Sequence, residues 1–325
     1  MTTQAARHHA RVDLVPAPTP LHEAPRLSAE LGVRILFKRD DLTGLGLGGN
    51  KVRGLEYLIA DLLAAGCDSL VTGAGPQSNW TLLAALASVR HGIEPHVVCY
   101  GTGAPAVGNM RLHRELGTDV RFTGVADRES VDDGIDAVAG ELRAAGRRPY
   151  VVPRGGATPL GSLGYVRASV ELAGQLRALG EQPAALWLPT GSCGTHAGLL
   201  AGAALNGAGY GVVGVTVSRP VAECLTRVRD LASGAAALAG APPPREPDVR
   251  DGYIGPGYGR ASATGRAAAR LVARTEGLFL DPTFGAKAMA ALIDHCRAGR
   301  ARGTQLFLVT GGAPTLFGEP RDVHP

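Results

Sequence analysis

The sequence predicts an α/β protein of two domains, with open, twisted parallel sheets that carry helices on both faces. Apolar, strand-like runs alternate along the chain with stretches whose apolar residues recur at helical spacing. A strand, a crossover helix and a second strand, repeated in this way, give parallel sheets. The chain has 325 residues. One hydrophobic core supports roughly 250–300 residues, so two domains are expected.

The first series of elements occupies the first half of the chain. A proline-rich arm leads to a strand expected at 35–39. A helix is expected at 50–65, because its apolar residues have helical spacing and Gly66 follows as a stop. Helices are expected between the first three of the next strands, which are predicted at 69–72, 96–100, 119–122 and 150–152.

A second series of strands is expected at 185–188, 211–217 and 306–310. The stretch 233–244, rich in Ala, Gly and Pro, is predicted to be a loop or a flexible surface segment. Ligands bind at the carboxyl ends of strands in such sheets. Glycine clusters lie at several of these ends, at 73–75, 155–156, 191–194 and 311–312.

Composition and charge narrow the class of protein. Hydrophobic residues make up 45% of the chain and charged residues 19%, as in an ordinary soluble globular protein. The formal net charge of +4 is mild, so nucleic acid is not an expected partner. No apolar run approaches the ~20 residues of a membrane span, so we expect no membrane partner and a cytoplasmic location. The five cysteines are widely spaced and form no CxxC pair, which predicts free thiols and no metal site.

Lys51 is the first candidate for chemistry. It is one of three lysines, against thirty arginines, and it follows a glycine-rich loop at 44–49. A desolvated lysine can lose its proton, which arginine cannot, and a neutral amine attacks a carbonyl to form a Schiff base. We therefore predict a Schiff-base lysine, with a surface lysine at a helix start as the alternative.

The segment 188–198 is predicted to bind a phosphate. It runs from a strand end through a Gly/Ser/Thr turn into an apolar helix. Consecutive backbone amides at a helix N-terminus bind phosphate, and Ser192 and Thr195 add hydroxyl donors. A tight turn capped by Thr195 is the alternative. Neither a P-loop nor a dinucleotide fingerprint is present, so the phosphate is expected to belong to a cofactor such as pyridoxal phosphate.

Two further strand ends lead to candidate residues. Ser78 and Asn79 begin a predicted helix, where they are either caps or donors to a carboxylate or a ring hydroxyl. Thr310 ends a predicted buried strand, for which an ordinary strand exit is the alternative.

Taken together and in this order, these motifs resemble the pyridoxal-phosphate enzymes of the tryptophan synthase β-like fold (fold type II). The D-cysteine desulfhydrase and 1-aminocyclopropane-1-carboxylate deaminase family is the most similar group. The resemblance spans the chain and rests on residues 18–21, 37–41, 48–53, 77–79, 153–156, 163–165, 188–198, 214–219, 257–259, 276–282 and 310–314. It implies a large cofactor-binding domain from residues 1–48 and 154–325 and a small domain from 49–153. It also implies a homodimer and a small amino acid as substrate.

The resemblance implies a role for each candidate residue. Lys51 would form the Schiff base with pyridoxal 5'-phosphate and relay protons at the substrate Cα. Asn79 would contact the ring hydroxyl, and Thr310 would face the pyridine nitrogen. Ser78 would bind the substrate carboxylate or share in proton transfer, and Tyr258 would lie over the substrate side chain. The cofactor phosphate would be held by the amides of Gly191, Ser192, Cys193, Gly194 and Thr195.

The implied substrate site departs from the family pattern. Its residues are Ser78, Asn79, Trp80, Tyr258 and Phe284. Phe284 stands where the family usually has a tyrosine, and Gly285 stands where the ring-opening deaminases have an acid. Trp80 replaces a small polar or imidazole residue, and Val309 replaces a frequent histidine. A larger or more apolar amino acid is therefore expected as the substrate.

We expect a pyridoxal-phosphate-dependent lyase or deaminase that eliminates the β-substituent of a small amino acid and releases a keto acid and ammonia. The neutral hydroxyl of Thr310 does not favour a protonated pyridine ring as a carboxylate would, which makes elimination the expected chemistry. A β-replacement enzyme and a catalytically silent relative that binds an amino acid or the cofactor are the alternatives. Lys51 argues against the silent relative, because a pure binding module needs no Schiff-base amine.

Overall fold

The computed structural model describes residues 9–318, which form two sheets with helices packed on both faces. The larger sheet has six strands in the order β1-β2-β10-β7-β8-β9. All of its pairings are parallel except that of β1 with β2. Its strands are β1 (Leu21–Glu23), β2 (Ile35–Arg39), β7 (Ala185–Thr190), β8 (Gly211–Thr216), β9 (Asp248–Arg250) and β10 (Gln305–Val309).

The smaller sheet is wholly parallel and has four strands in the order β5-β4-β3-β6. Its strands are β3 (Ser69–Ala74), β4 (Glu94–Cys99), β5 (Asp119–Phe122) and β6 (Pro149–Val151). The two sheets confirm the predicted fold class. The strands of this sheet lie within the proposed small domain, whose boundaries stay a prediction.

Helices connect the strands of both sheets. Within the described residues they are α1 (Pro25–Leu31), α2 (Lys51–Ala64), α3 (Asn79–Arg90), α4 (Gly108–Glu115), α5 (Ser130–Ala144), α6 (Pro159–Leu179), α7 (Gly194–Asn206), α8 (Val221–Ala239), α9 (Ala263–Glu276) and α10 (Gly285–Arg297). In the part of the chain that the structure describes, no helix is long and apolar enough to cross a membrane.

Three expectations need correction. Residues 233–239, predicted as a loop, form the last two turns of α8, because alanine has the highest helix propensity and Ala235, Ala236 and Ala239 pack in a buried cluster. Helix α5 lies between the third and fourth of the predicted strands, where no helix was expected. Strands β1 and β9 were not predicted, because each has three residues and gives too short a pattern to read.

A buried cluster of charges fixes the start of α2 to the larger sheet. Arg53, two residues after Lys51, is 1% exposed and donates to both carboxylate oxygens of Asp40, at 2.7 and 2.9 Å. Its terminal nitrogens also donate to Glu171 on α6, at 3.0 Å each. Lys38 on β2 donates to the same Glu171 carboxylate. Two cations therefore balance two carboxylates, which we call the charge cluster.

Burial alone would raise the pKa of Asp40, but Arg53 and the hydroxyls beside it hold that pKa below its ordinary value. The carboxylate accepts from Tyr165 at 2.5 Å and from Thr19 at 2.7 Å in addition to the guanidinium. Asp40 is thus ionised and fully bonded, and the removal of one cation would leave a buried charge without a partner.

We predict that Arg53→Leu lowers the free energy of unfolding by ~3–5 kcal/mol, because Asp40 and Glu171 lose their shared cation inside the protein. Urea titration followed by circular dichroism measures the change. The control is Arg121→Leu, which removes a guanidinium from a solvent-exposed pair with Asp119 and is expected to cost no more than ~1 kcal/mol. If the two variants lost the same free energy of unfolding, the importance of the charge cluster would be contradicted.

Candidate active site

A cavity with about 950 Å³ of empty space, partly open to solvent, lies between the two sheets. The carboxyl ends of strands from both sheets line it, through Ala74 at the end of β3, Thr190 at the end of β7 and Thr310 directly after β10. This is the position at which parallel sheets bind ligands. Every predicted site residue lines this cavity except Gly194.

Lys51 is the first residue of α2, and its amine is held inside the cavity wall. The Nζ atom donates to Ser192 Oγ at 2.9 Å, and burial lowers the pKa of Lys51 to about 8. The glycine loop allows this placement: Gly48 has a φ of 72°, and a Cβ there would lie 1.9 Å from the Asp41 carbonyl oxygen. Asn50 N then donates to Thr310 O at 3.0 Å, which joins the loop to the end of β10.

The segment Gly191–Thr195, which we call the phosphate loop, joins β7 to α7. Cys193 adopts a left-handed conformation with a φ of 77°, and α7 begins at Gly194. Among residues 9–318, no protein group accepts a hydrogen bond from the amides of the phosphate loop. Free amides at a helix N-terminus suit an anion, so the loop fits the phosphate of pyridoxal phosphate.

Asn50 holds the phosphate loop in place, and Cys193 within the loop is an uncharged thiol. Asn50 donates through Nδ2 to Thr195 Oγ1 at 2.9 Å, so the residue beside Lys51 also holds this loop. The neighbouring Cys224 thiol and burial raise the pKa of Cys193, which is a neutral thiol at physiological pH. Cys193 itself therefore adds no negative charge to the loop, whereas its hydrogen bond lowers the pKa of the neighbouring Cys224 to about 7.

Ser78 and Asn79 lie at the N-terminus of α3 and line the same cavity as Lys51. Ser78 accepts from Thr81 N at 3.4 Å, so it is a helix cap as well as part of the cavity wall. Asn79 accepts from Asn109 at 2.9 Å through its amide oxygen, and its own NH₂ group has no acceptor among the described residues. That group is available to a ligand, as the prediction for the ring hydroxyl requires.

Trp80 is a core side chain as well as a lining residue. It is 3% exposed, and its indole N–H donates to Thr72 Oγ1 at 2.9 Å. A Cβ on Gly156 would lie 2.3 Å from the indole ring, so Gly156 leaves room for it. Trp80 therefore forms a fixed apolar wall.

Tyr258 and Phe284 line the cavity from the side of the larger sheet. Their rings meet edge to face, with centroids 6.0 Å apart and planes at 71°. Asp281 accepts hydrogen bonds from the amides of Thr283, Phe284 and Gly285 at 3.1, 2.8 and 2.7 Å, which fixes the start of α10. Burial raises the pKa of Asp281 to about 6, while these amides oppose the rise.

Several lining residues were missed by the sequence analysis. Tyr100 and Arg219 follow β4 and β8, so the rule that ligands bind at strand ends could have indicated both. Arg154 likewise follows β6 by three residues, whereas Arg128 lies in the segment before α5, which carries no such signal. Three arginines and Lys51 line the cavity, and no carboxylate does so in the described part of the chain. This cationic lining suits the phosphate of a cofactor and the carboxylate of an amino acid.

Metal ligands do not cluster in the described chain: residues 9–318 contain no group of three or more His, Cys, Asp or Glu side chains that could hold an ion. The five cysteines are free thiols. The polar groups of the cavity are instead an amine, hydroxyls, amides and guanidinium groups, which is the donor set that an anionic organic cofactor requires.

Comparison with known proteins also indicates a pyridoxal-phosphate enzyme, and the matches extend over nearly the whole chain. The family model described as "Pyridoxal-phosphate dependent enzyme" matches residues 12–311. A D-cysteine desulfhydrase of Klebsiella pneumoniae (strain 342) is 39% identical over 327 residues, which cover 98% of each chain. A putative 1-aminocyclopropane-1-carboxylate deaminase of Pyrococcus abyssi is 37% identical over 308 residues, which cover 94% of this chain and 93% of that protein.

Solved structures extend the comparison to the fold. The crystal structure of a 1-aminocyclopropane-1-carboxylate (ACC) deaminase homologue superposes with a TM-score of 0.92 at 35% identity, covering 96% of this chain and 95% of that one. A fungal L-serine ammonia-lyase from Rhizomucor miehei has a TM-score of 0.67 at 19% identity, covering 93% of this chain and 94% of that one, which shows a shared fold alone. The predicted family and the predicted cofactor are confirmed by the family match and the similar relatives.

The lowered pKa of Lys51 predicts how the cofactor-free protein captures pyridoxal phosphate. With a pKa near 8, about a quarter of the amine is neutral at pH 7.5, against about one in a thousand for an ordinary lysine. The capture rate should rise about tenfold per pH unit below pH 8 and then level off, because the neutral amine is the nucleophile. Stopped-flow absorbance of the bound cofactor measures this rate, with Lys51→Ala as the blank. A rate that still rises steeply to pH 10 would mean that the amine is not desolvated.

Proposed function

We propose that this chain, which belongs to the family of pyridoxal-phosphate-dependent enzymes, eliminates the β-substituent of a small amino acid and releases a keto acid and ammonia, as D-cysteine desulfhydrase does. One observation carries the proposal: the Lys51 amine donates to Ser192 of the phosphate loop at 2.9 Å and lines the same cavity as Ser78 and Asn79. One cavity thus holds a base together with groups for a phosphate and for a carboxylate. The 39% identity to a D-cysteine desulfhydrase over nearly the whole of both chains supports the same reaction class.

The residues present fit pyridoxal phosphate. Lys51 would hold its aldehyde carbon, the phosphate loop its phosphate, Asn79 its ring hydroxyl and Thr310 the ring nitrogen. When bound, the cofactor supplies an electron sink that makes the Cα proton of an amino acid acidic.

The chain's own groups would carry the remaining steps. The Lys51 amine would take the Cα proton, and Ser192 Oγ, which accepts from it at 2.9 Å, would orient it. Ser78 and the NH₂ group of Asn79 would bind the substrate carboxylate. Tyr258, whose ring rests on Phe284, would cover the substrate side chain and exclude water. Thr310 would offer the ring nitrogen a neutral hydroxyl, which does not favour a protonated pyridine as a carboxylate would and so is consistent with elimination.

Elimination is favoured over ring opening. The position after Phe284 is Gly285, whose amide serves the Asp281 cap and which carries no side chain. The acid expected of ring-opening deaminases is therefore missing from the start of α10.

We further propose a division into two domains and a cytoplasmic homodimer. A small domain of residues 49–153 is supported by the four-stranded sheet, whose strands lie between Ser69 and Val151. A cytoplasmic homodimer is supported by the similarity to enzymes and by Phe279 and Phe317, which are 73% and 76% exposed and would favour an interface.

Removal of the amine tests the proposed function directly. We expect Lys51→Ala to lower keto-acid and ammonia release from D-cysteine by at least ~10²–10⁴-fold, because a positioned base is lost. Lys51→Arg is the matched control: it keeps the positive charge without a deprotonatable amine and should be equally inactive. Turnover by either variant at the wild-type rate would refute the assignment. Absence of turnover by wild type on a panel of D- and L-amino acids would refute the proposed reaction.

Phe284→Tyr tests whether a missing hydroxyl limits the reaction. A tyrosine at this position would place an acid–base group beside Tyr258, and such a group contributes ~10²–10⁴-fold when well placed. We expect the variant to eliminate hydrogen sulfide from D-cysteine with a higher kcat than wild type. Phe307→Tyr is a control, because Phe307 lies in the hydrophobic core away from the cavity. An unchanged kcat in Phe284→Tyr would show that Phe284 is a neutral substitution.

A further inference from the structure

Lys287 is a buried cation for which the proposed reaction has no use. The chain keeps three lysines. Lys51 lies in the cavity, and Lys38 pairs with Glu171 in the charge cluster. Lys287, near the start of α10, is fully buried, yet it forms no salt bridge with any described carboxylate. Its position therefore requires another explanation.

The Lys287 ammonium binds the backbone of a neighbouring loop. Its Nζ donates to the carbonyl oxygens of Ile254 at 2.7 Å and Gly257 at 3.0 Å. Burial lowers the pKa of Lys287, while Asp281 at the helix cap opposes this shift. Hydrogen bonds from a charged donor are among the stronger ones in proteins. The two carbonyls lie on either side of Gly255 and Pro256, and Gly257 directly precedes Tyr258.

The segment 251–259, which we call the Tyr258 loop, has little order of its own. Four of its residues are glycines with positive φ angles, of 92°, 65°, 132° and 72° at Gly252, Gly255, Gly257 and Gly259. Glycine loses more conformational freedom on ordering than any other residue. Tyr258 itself lines the cavity and is 37% exposed. A loop of this composition keeps one conformation only where outside contacts hold it.

The start of α10 supplies those contacts twice. The Phe284 ring rests against the Tyr258 ring, and Lys287, one turn further along the helix, holds the backbone on either side of Gly255 and Pro256. Asp281 anchors the helix start through three amides. Helix α10 thereby holds both the Tyr258 ring and the backbone of the Tyr258 loop.

We propose that Lys287 is a positioning residue, which anchors the Tyr258 loop through two backbone carbonyls and so sets the place of Tyr258 over the substrate cavity. A lysine serves here because its compact head carries three donors on a long apolar stem, whereas the planar guanidinium of arginine has a fixed fork. The anchoring stands independently of the reaction. Its effect on turnover rests on the function proposed above.

Hydrogen exchange tests the anchor without cofactor or substrate. Amide exchange by mass spectrometry is compared in wild type, Lys287→Met and Lys38→Met. Methionine keeps the stem and removes the donors, and Lys38→Met is the matched loss of a buried ammonium elsewhere. We expect residues 251–259 to exchange about tenfold faster in Lys287→Met than in wild type. In Lys38→Met the exchange rate of this loop should change no more than that of the rest of the chain.

Equal exchange of the loop in wild type and Lys287→Met would overturn the proposal. Should Lys287→Met fail to fold, Lys287→Gln keeps a neutral donor and the same comparison applies. Wild type supplies a further check: if residues 254–258 already exchange as fast as an unstructured peptide, no anchor exists and the proposal is wrong.

Kinetics show whether the anchor matters for turnover. In Lys287→Met we expect retention of the bound-cofactor absorbance and a fall in kcat of about tenfold or more, because Tyr258 no longer keeps its place. A general loss of stability would instead lower the active fraction and the cofactor content together. If wild type shows no turnover, the proposed function fails while the exchange result still decides the anchor. If the loop is released and kcat stays unchanged, the loop position has no catalytic role and that part of the proposal is refuted.

Discussion

The start of helix α2 depends on a balanced set of buried charges. Arg53 and Lys38 face Asp40 and Glu171 in the charge cluster, where guanidinium and carboxylates meet at 2.7–3.0 Å. Such a cluster tolerates no single loss, since each remaining charge would be buried without a partner. It joins β2, α2 and α6 at one point. Because Arg53 lies two residues after Lys51, the fixed end of the helix also fixes the direction from which the amine enters the cavity.

Asn50 transfers this rigidity to the cofactor site. Its backbone amide is bonded to Thr310 and its side chain to Thr195. Asn50, which precedes Lys51, therefore contacts both Thr310 and Thr195. These two residues are expected to meet opposite ends of the cofactor, the ring nitrogen and the phosphate. Distances among the three are set by backbone and short side chains. A preorganised site of this kind needs little rearrangement when its ligand arrives.

Local chemistry made much of the fold and site predictable. Lys51 after its glycine loop, the phosphate loop and the strands of both sheets all carry their signal within a few adjacent residues, and nearly all of them line the cavity or lie in the sheets as predicted. The charge cluster was not predictable, because Asp40 and Glu171 lie 131 positions apart and nothing in the sequence pairs them. Arg128 reaches the cavity through tertiary structure alone. Residues 233–239 misled the prediction because alanine and glycine together resemble a loop, although the buried alanines pack as a helix.

The interior placement of the lysines has a consequence for the protein's surface. Lys38 and Lys287 are at most 2% exposed, and Lys51 opens only into the cavity. With all other basic side chains being arginine or histidine, the outer face presents no lysine amine to the solvent. Aldehydes in the surroundings, free vitamin B6 vitamers among them, form adducts with accessible amines indiscriminately. On this protein they find one lysine within reach, Lys51, and it is the lysine that we propose to bind the cofactor.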